Sequence, residues 1–487
     1  MSKPPTTAPL PLRHIFTGQL VMSGGYTSAA ADFQTEADTP ILRDGQGRVL
    51  LAGTGLAGAL RHRLSLLFPP STIARVFGTA DSASRLSIAD APAAASTPTQ
   101  VRNRVAIQRD RGAAAPGLLF DRETAGAGTA FTFRIVLEGD DATEKEDVQV
   151  LAWIKLLLET GAVTLGGDSR RGSGHLSLKD PALSKCNLSK TVELAGWLAG
   201  RMAASVNWPA ADAPAAGEPL RLIRLDLSLE FRDGILPSGG RDTGKGESDI
   251  ECARSKMSDG SERILLAGSG VRGVCRSRVE EILLAQGKRV CDPTKEGGWC
   301  SDGRKTLAAV DGKDLCPCCQ LFGAIGWRSR LAFSDFIQCK GYGGEMLVDH
   351  VALDRIHGGV HGSNKFDEKP VFEAVFEGMV TLENPSREDF EALAWLAQEA
   401  SDGRLWFGHS THRGLGQLTG VYVAGLTVLD TRPDPRITPP SLQPEDGAIM
   451  KFTRTEGEWE SLEAAESLAA IVPWLCPAAP TLEPAAP

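Results

Sequence analysis

Apolar and polar residues alternate with period two in "RHIFTGQLVMSG" (13–24) and in "LIRLDLSLEFRDG" (222–234), the pattern of a half-buried strand. After each comes a polar, Gly-rich loop, then a short apolar run, a glycine turn and about 10–15 residues with helical spacing. A further strand follows, "RLSIAD" (85–90) or "RLAFSD" (330–335). A longer one, "AFTFRIVLEG" (130–139) or "VFEAVFEGMVTLE" (371–383), leads into a second helix around Trp153 or Trp395. A Gly-rich loop and a last strand close each series. Strand–helix–strand–strand–helix–strand, met twice, predicts an α+β chain of two ferredoxin-like units with long loops added.

The two series are copies of one another. "VLLAGTGLAGALRHRL" (49–64) matches "ILLAGSGVRGVCRSRV" (264–279) at an offset of 215 residues. "VFGTADSASRLSIAD" (76–90) matches "LFGAIGWRSRLAFSD" (321–335) at 245. "FDRE" (120–123) matches "FDEK" (366–369) at 246, and "LGGDSRRGSGHL" (165–176) matches "FGHSTHRGLGQL" (407–418) at 242. Blocks kept in one order mark a tandem repeat. The offset jump from 215 to 245 places about 30 extra residues in the second copy. The expected domains are 12–185 and 219–430, with a linker at 186–218, the insertion at 280–320 and a tail at 431–487.

A net charge of −9 argues mildly against a polyanionic partner, but the charge is uneven. Residues 53–113 carry eight arginines against three aspartates, whereas 430–487 carry ten acids and four bases. The basic part is where a nucleic acid would lie. No apolar run approaches the ~18 residues that cross a bilayer, and the opening residues lack an apolar signal-like run. The expectation is a cytoplasmic protein with no membrane partner.

The glycine turns read G-x-G-x-x-G, the outline of a dinucleotide fingerprint. That reading needs an acid closing the next strand, and Asp81 after "VFGTA" is a poor candidate. Two readings remain for Gly53, Gly55, Gly268 and Gly270: tight strand-to-helix packing, or a helix N-terminus that holds an RNA phosphate. Arg61, Arg63, Arg272 and Arg276 follow the turns, and positions 272 and 276 share a helical face. They read as phosphate contacts or as a solvated face. In the late Gly loops Arg170, Arg171, His412 and Arg413 are candidate RNA contacts, and His409 and His412 are alternative acid–base groups. Residues 101–120 and 347–366, with Arg104, Arg109 and Arg355, read as hairpins suited to a nucleic-acid groove.

Ten cysteines are present, five of them between Cys291 and Cys319. Cys291, Cys300, Cys316 and Cys319, ending in C-x-x-C, predict a closed four-thiolate site for structural Zn²⁺. Cys318 is a spare that could replace a neighbour. The insertion is poor in apolar residues and needs such a staple.

With the repeat in hand, the motifs resemble the RAMP superfamily, the RRM-like backbone proteins of type III CRISPR complexes. The resemblance rests on four features met in each copy: a loop Asp, the glycine turn, the "FG…SRL…D" block and the late Gly loop. In "EADTPILRD" (36–44) and "ESDIECARS" (247–255) the loop Asp stands five residues before Arg43 or Arg254. The resemblance implies stacked domains that grip a guide RNA (crRNA) and hairpins that distort its duplex with a complementary target RNA. It implies other RAMP subunits and a large polymerase-like subunit as partners. It also implies metal-dependent cleavage (Mg²⁺ or Mn²⁺) of target RNA by Asp38 and Asp249, with Glu36, Glu247 and Glu251 nearby. A non-catalytic scaffold of the same fold and a guide-processing ribonuclease are the alternatives.

Overall fold

The period-two run at 13–24 folds as β1 (Leu12–Met22), whose alternate residues, Phe16 and Leu20 among them, are buried. The protein is described here by a computed structural model that covers residues 10–28, 37–108, 114–201, 204–212, 220–237, 248–292, 298, 300, 312–339, 341, 343–431 and 449–450. After β1 come α1 (Gly53–Leu64), β2 (Leu86–Ile88), β3 (Thr99–Ile107) and β4 (Ala114–Ala125). Then come β5 (Ala130–Gly139), α2 (Glu144–Glu159), β6 (Arg171–Gly172) and β7 (Leu176–Asn187). Antiparallel pairing puts the main strands in the order β7–β1–β5–β2. That is the split order expected of a ferredoxin-like unit.

The second half repeats the plan. It runs β8 (Arg221–Phe231), α3 (Gly268–Ala285), α4 (Pro317–Phe322) and β9 (Leu331–Ser334), then β10 (Val348–Leu353), β11 (Val360–Lys369), β12 (Ala374–Glu383), α5 (Arg387–Ser401) and β13 (Gly420–Asp430). The corresponding order is β13–β8–β12–β9, again antiparallel throughout. Each sheet buries one face under its helices. Leu56, Leu60, Leu151, Ile154 and Leu158 close over Phe16, Phe131 and Phe133 in the first. Val271, Val279, Leu283, Phe390 and Leu396 close over Phe231 and Phe376 in the second. The strand pairs β3–β4 and β10–β11 stand apart from both main sheets as hairpins.

Of the stretch expected to be a linker, the described residues 204–212 fold onto the first sheet. Ala204–Val206 pairs with β7, Trp208 packs edge-on against Phe16 at 4.7 Å, and the Trp153 indole N–H donates to the Asp212 carbonyl at 2.9 Å. Two aromatic anchors outweigh the Ala/Pro-rich composition around them.

The halves are joined by backbone. β6, in the late Gly loop of the first half, pairs in parallel with β9 at the edge of the second sheet, Gly172 opposite Ser334. Gly172 has φ 118°, and a Cβ there would lie 2.1 Å from Asp335 Oδ1. Only glycine lets the loop come so close. Around this seam Arg102 of β3 bonds the buried Asp335, while Arg63 and Arg170 bond Glu383 at the end of β12.

Candidate nucleic-acid interface

The two loop acids occupy the same place in each half. Asp38 is exposed beside β4, where its N–H donates to Asp121 Oδ1 at 2.6 Å and its Oδ2 accepts the Asp121 N–H at 3.0 Å. Asp249 is exposed beside β11 and makes the same exchange with Asp367, at 2.7 and 3.2 Å. Asp121 and Asp367 are equivalent residues of the matched "FDRE" and "FDEK" blocks. Their signal was in the repeat, but nothing local tied them to loops 83 and 118 residues away. Glu36 and Glu247 lie outside the described residues.

The glycine turns already hold an anion. The Gly53 N–H donates to Asp90 Oδ1 at 2.7 Å, and the Gly268 N–H donates to Asp335 Oδ1 at 3.0 Å. Both carboxylates belong to the "SRL…D" block. A Cβ on Gly53 or Gly268 would lie 2.3 Å from the carbonyl oxygen of Ile88 or Ser334, so packing requires these two glycines. Gly55 and Gly270 face open space. The first glycine of each turn therefore serves strand-to-helix packing, and the donor expected for RNA phosphate is taken by the protein's own carboxylate.

The candidate arginines divide by burial. Arg61, Arg171, Arg355, His412 and Arg413 are exposed. Arg63 and Arg170 are instead committed to Glu383, where burial alone would raise the carboxyl pKa. The hydrogen bond from Arg63 and the charges of Arg63, Arg170 and Arg328 outweigh that and hold it well below the usual range. Arg104 is buried, donates to the Arg171 carbonyl at 3.1 Å and lies 3.5 Å from Asp168. Arg272 bonds the Phe322 carbonyl and lies over that ring. Arg109 lies outside the described residues. For Arg63, Arg104, Arg170, Arg272 and Arg276 the expected phosphate contact gives way to a protein partner, because non-local packing supplies acceptors that helical spacing cannot reveal.

Arg276 reaches the cysteine cluster. The sulfurs of Cys291, Cys300, Cys316 and Cys319 all lie within 4.8 Å of one another, with Cys291 3.8 Å from Cys316 and 3.2 Å from Cys319. Zn–S bonds of about 2.3 Å in a tetrahedron need sulfurs about 3.8 Å apart. The Arg276 guanidinium donates to Cys319 Sγ at 3.5 Å and the Cys316 N–H donates to Cys300 Sγ at 3.2 Å, which suits thiolates. The four cysteines thus form a site that could hold a structural metal such as zinc. Cys318 points into the core with no exposure, and burial pushes its thiol up. Cys186, Cys252 and Cys275 are buried, and Cys476 lies outside the described residues.

Each hairpin is clamped to its late Gly loop by charge, with the signs exchanged. In the first half the acid is on the loop, with Asp168 3.1 Å from Arg122 and 3.5 Å from Arg104 of the hairpin. In the second half the acid is on the hairpin. Glu368 is buried, takes the Ser410 hydroxyl at 2.5 Å and the His350 Nε2 at 3.1 Å, and pairs with Arg413. His409 Nδ1 stands 3.5 Å away, and His412 is not among these partners. Asp168 and Ser410, at equivalent positions, both adopt left-handed φ, 53° and 61°.

Two split-order sheets, each with a hairpin, a loop acid and a late Gly loop, define a tandem ferredoxin-like protein in which one arrangement is repeated. The family model described as the RAMP superfamily matches residues 19–177 and again 243–419. These spans cover well over half of the chain, and the protein belongs to the RAMP superfamily, whose subunits are CRISPR-associated and bind RNA. No curated protein matches it. Among the described residues no helix is long and apolar enough to cross a membrane.

Proposed function

We propose that this chain supplies two adjacent guide-binding units of a type III CRISPR complex and cleaves complementary target RNA beside each hairpin, through Asp38 and Asp249. The observation that carries the reading is the twofold recurrence of an exposed loop acid fixed at the returning strand of a hairpin. RNA needs its 2′-OH aligned with the next phosphate. A carboxylate in that place would take the 2′-OH proton as the 2′-oxygen bonds to phosphorus and the 5′-oxygen leaves, protonated by water, and a divalent cation held by the same acid would neutralise charge. The hairpins suit entry into a guide–target duplex because they turn aliphatic side chains outward. Val101, Val105, Ile107 and Leu119 are exposed on the first, and Val351, Leu353, Ile356 and Val360 on the second. Apolar wedges of this kind unstack base steps. Arg61, Arg171, Arg355 and His412 are left to contact phosphates, Arg413 being paired with Glu368, and the remaining complex, with other RAMP subunits and a polymerase-like subunit, is the partner.

The test is cleavage of a labelled complementary RNA by the guide-loaded protein with Mg²⁺ or Mn²⁺. Asp38→Ala should remove one product and Asp249→Ala another, with target affinity retained. Unchanged products in both variants would leave the protein a scaffold.

A further inference from the structure

The exchange between Asp38 and Asp121 joins two like-charged residues near solvent through their main-chain N–H groups. The second half repeats it with Asp249 and Asp367, across a different loop length. What each pair gains is a two-point clasp, with each main-chain N–H held by the other residue's carboxylate. The clasp does not stand alone. Two residues along in the first half, Glu123 Oε2 accepts the Ile41 N–H at 3.1 Å and the Glu123 N–H donates to the Thr39 carbonyl at 3.0 Å. In the second half Ile250 and Glu251 pair in parallel with Glu368 and Lys369 of β11. The loop that carries each acid is therefore laced to the returning strand of the hairpin.

We propose that Asp121 and Asp367 are positioning residues that fix Asp38 and Asp249 to the hairpins. Each acid then moves with its hairpin, and its reach to the RNA backbone is set by how that hairpin seats in the guide–target duplex. The proposal rests on the reading that Asp38 and Asp249 serve target cleavage. It assigns Asp121 and Asp367 no contact with RNA. Their carboxylates act on the acid through its main chain, so a neutral side chain with an acceptor oxygen in the same place can replace them.

The experiment uses the full chain loaded with guide RNA, a complementary RNA and Mg²⁺, and follows the two cuts separately in single turnover. Asp121→Ala is expected to slow one cut by about 100-fold, the cost of a misplacement of about 1 Å. The other cut and the affinity for target should stay at wild-type values, which also reports that the variant is folded. Asp121→Asn keeps an acceptor for the Asp38 N–H and should recover most of the lost rate, which a charge-dependent role would not allow. Hydrogen exchange of the segment containing Asp38 should quicken in Asp121→Ala and not in Asp121→Asn. Asp367 should behave in the same way toward the second cut. Loss of a cut in Asp38→Ala together with a wild-type rate in Asp121→Ala would overturn the positioning role alone. Cuts that survive Asp38→Ala and Asp249→Ala would overturn the cleavage reading and this role with it.

Discussion

Arg276 shows how far one residue's surroundings can depart from its spacing. Its position four residues after Arg272 gives a shared helical face, and that much is borne out, since both side chains turn toward α4. What covers that face is α4 and the Gly323 that follows it, with Cys319 contributed by the inserted segment, and no periodicity in α3 announces it. Arg276 is buried, shared between Glu280, the Gly323 carbonyl and Cys319 Sγ. A cation against a four-thiolate site offsets part of its negative charge, as the outer-shell partners of metal ligands do. If the four cysteines hold zinc, Arg276→Met, similar in volume but uncharged, is expected to weaken its retention by about 10–100-fold. Zinc released from the purified protein to a chromogenic chelator measures it, and wild-type retention would show that the guanidinium serves packing alone. Cys316 and Cys319 were legible because C-x-x-C spacing is a local signal, and Cys291 and Cys300 because cysteines cluster in the insertion.

Among the elements, the main strands and helices could be read from periodicity, and the hairpins could be read only in outline. "VRNRVAIQ" alternates arginine and aliphatic residues, and composition assigns the arginines to the RNA side. In β3 the sense is reversed. Arg102 and Arg104 are each 9% exposed, while Val101 and Val105 are about half exposed. Alternation fixes that two faces differ, but which face is buried depends on Asp335 and Asp168, which lie in other elements. If the outer face meets bases, Ile107→Ser with Leu119→Ser should lower target cleavage at the neighbouring site by about tenfold. The melting temperature should stay within about 2 °C, as befits exposed side chains. Unchanged cleavage with unchanged melting would remove the wedge from the account.

At the scale of the whole molecule, the seam between the halves was invisible in the sequence. Asp335, Glu383, Arg102 and Arg63 each lie in readable motifs, but their pairing spans 233 and 320 residues. His175 lies in the same region, fully buried. Burial, followed by the charges of Arg170 and Arg224, lowers its pKa to about 4. The unfolded chain binds a proton near pH 6.5 that the folded one refuses, so stability falls as pH drops from about 6.5 toward 4, by at most about 3 kcal/mol. Thermal melts across this window should show the slope, and His175→Gln should flatten it. Glu383 acts lower on the scale. Its stabilising pairs persist at neutral pH and are lost only as pH falls through its depressed folded value. Glu383→Gln at pH 7 leaves Arg63 and Arg170 short of charge and should cost about 3–5 kcal/mol, measured by denaturant unfolding.

The exchanged signs at the two hairpin clamps also bear on the gene. A crossover that joined the first hairpin to the second late loop would set Arg104 and Arg122 against Arg413, with neither Asp168 nor Glu368 to balance them. The reciprocal product would face Glu368 with Asp168. Either hybrid would set like charges face to face at a clamp that now pairs opposite ones, so a crossover falling between hairpin and late loop is expected to yield a less stable protein.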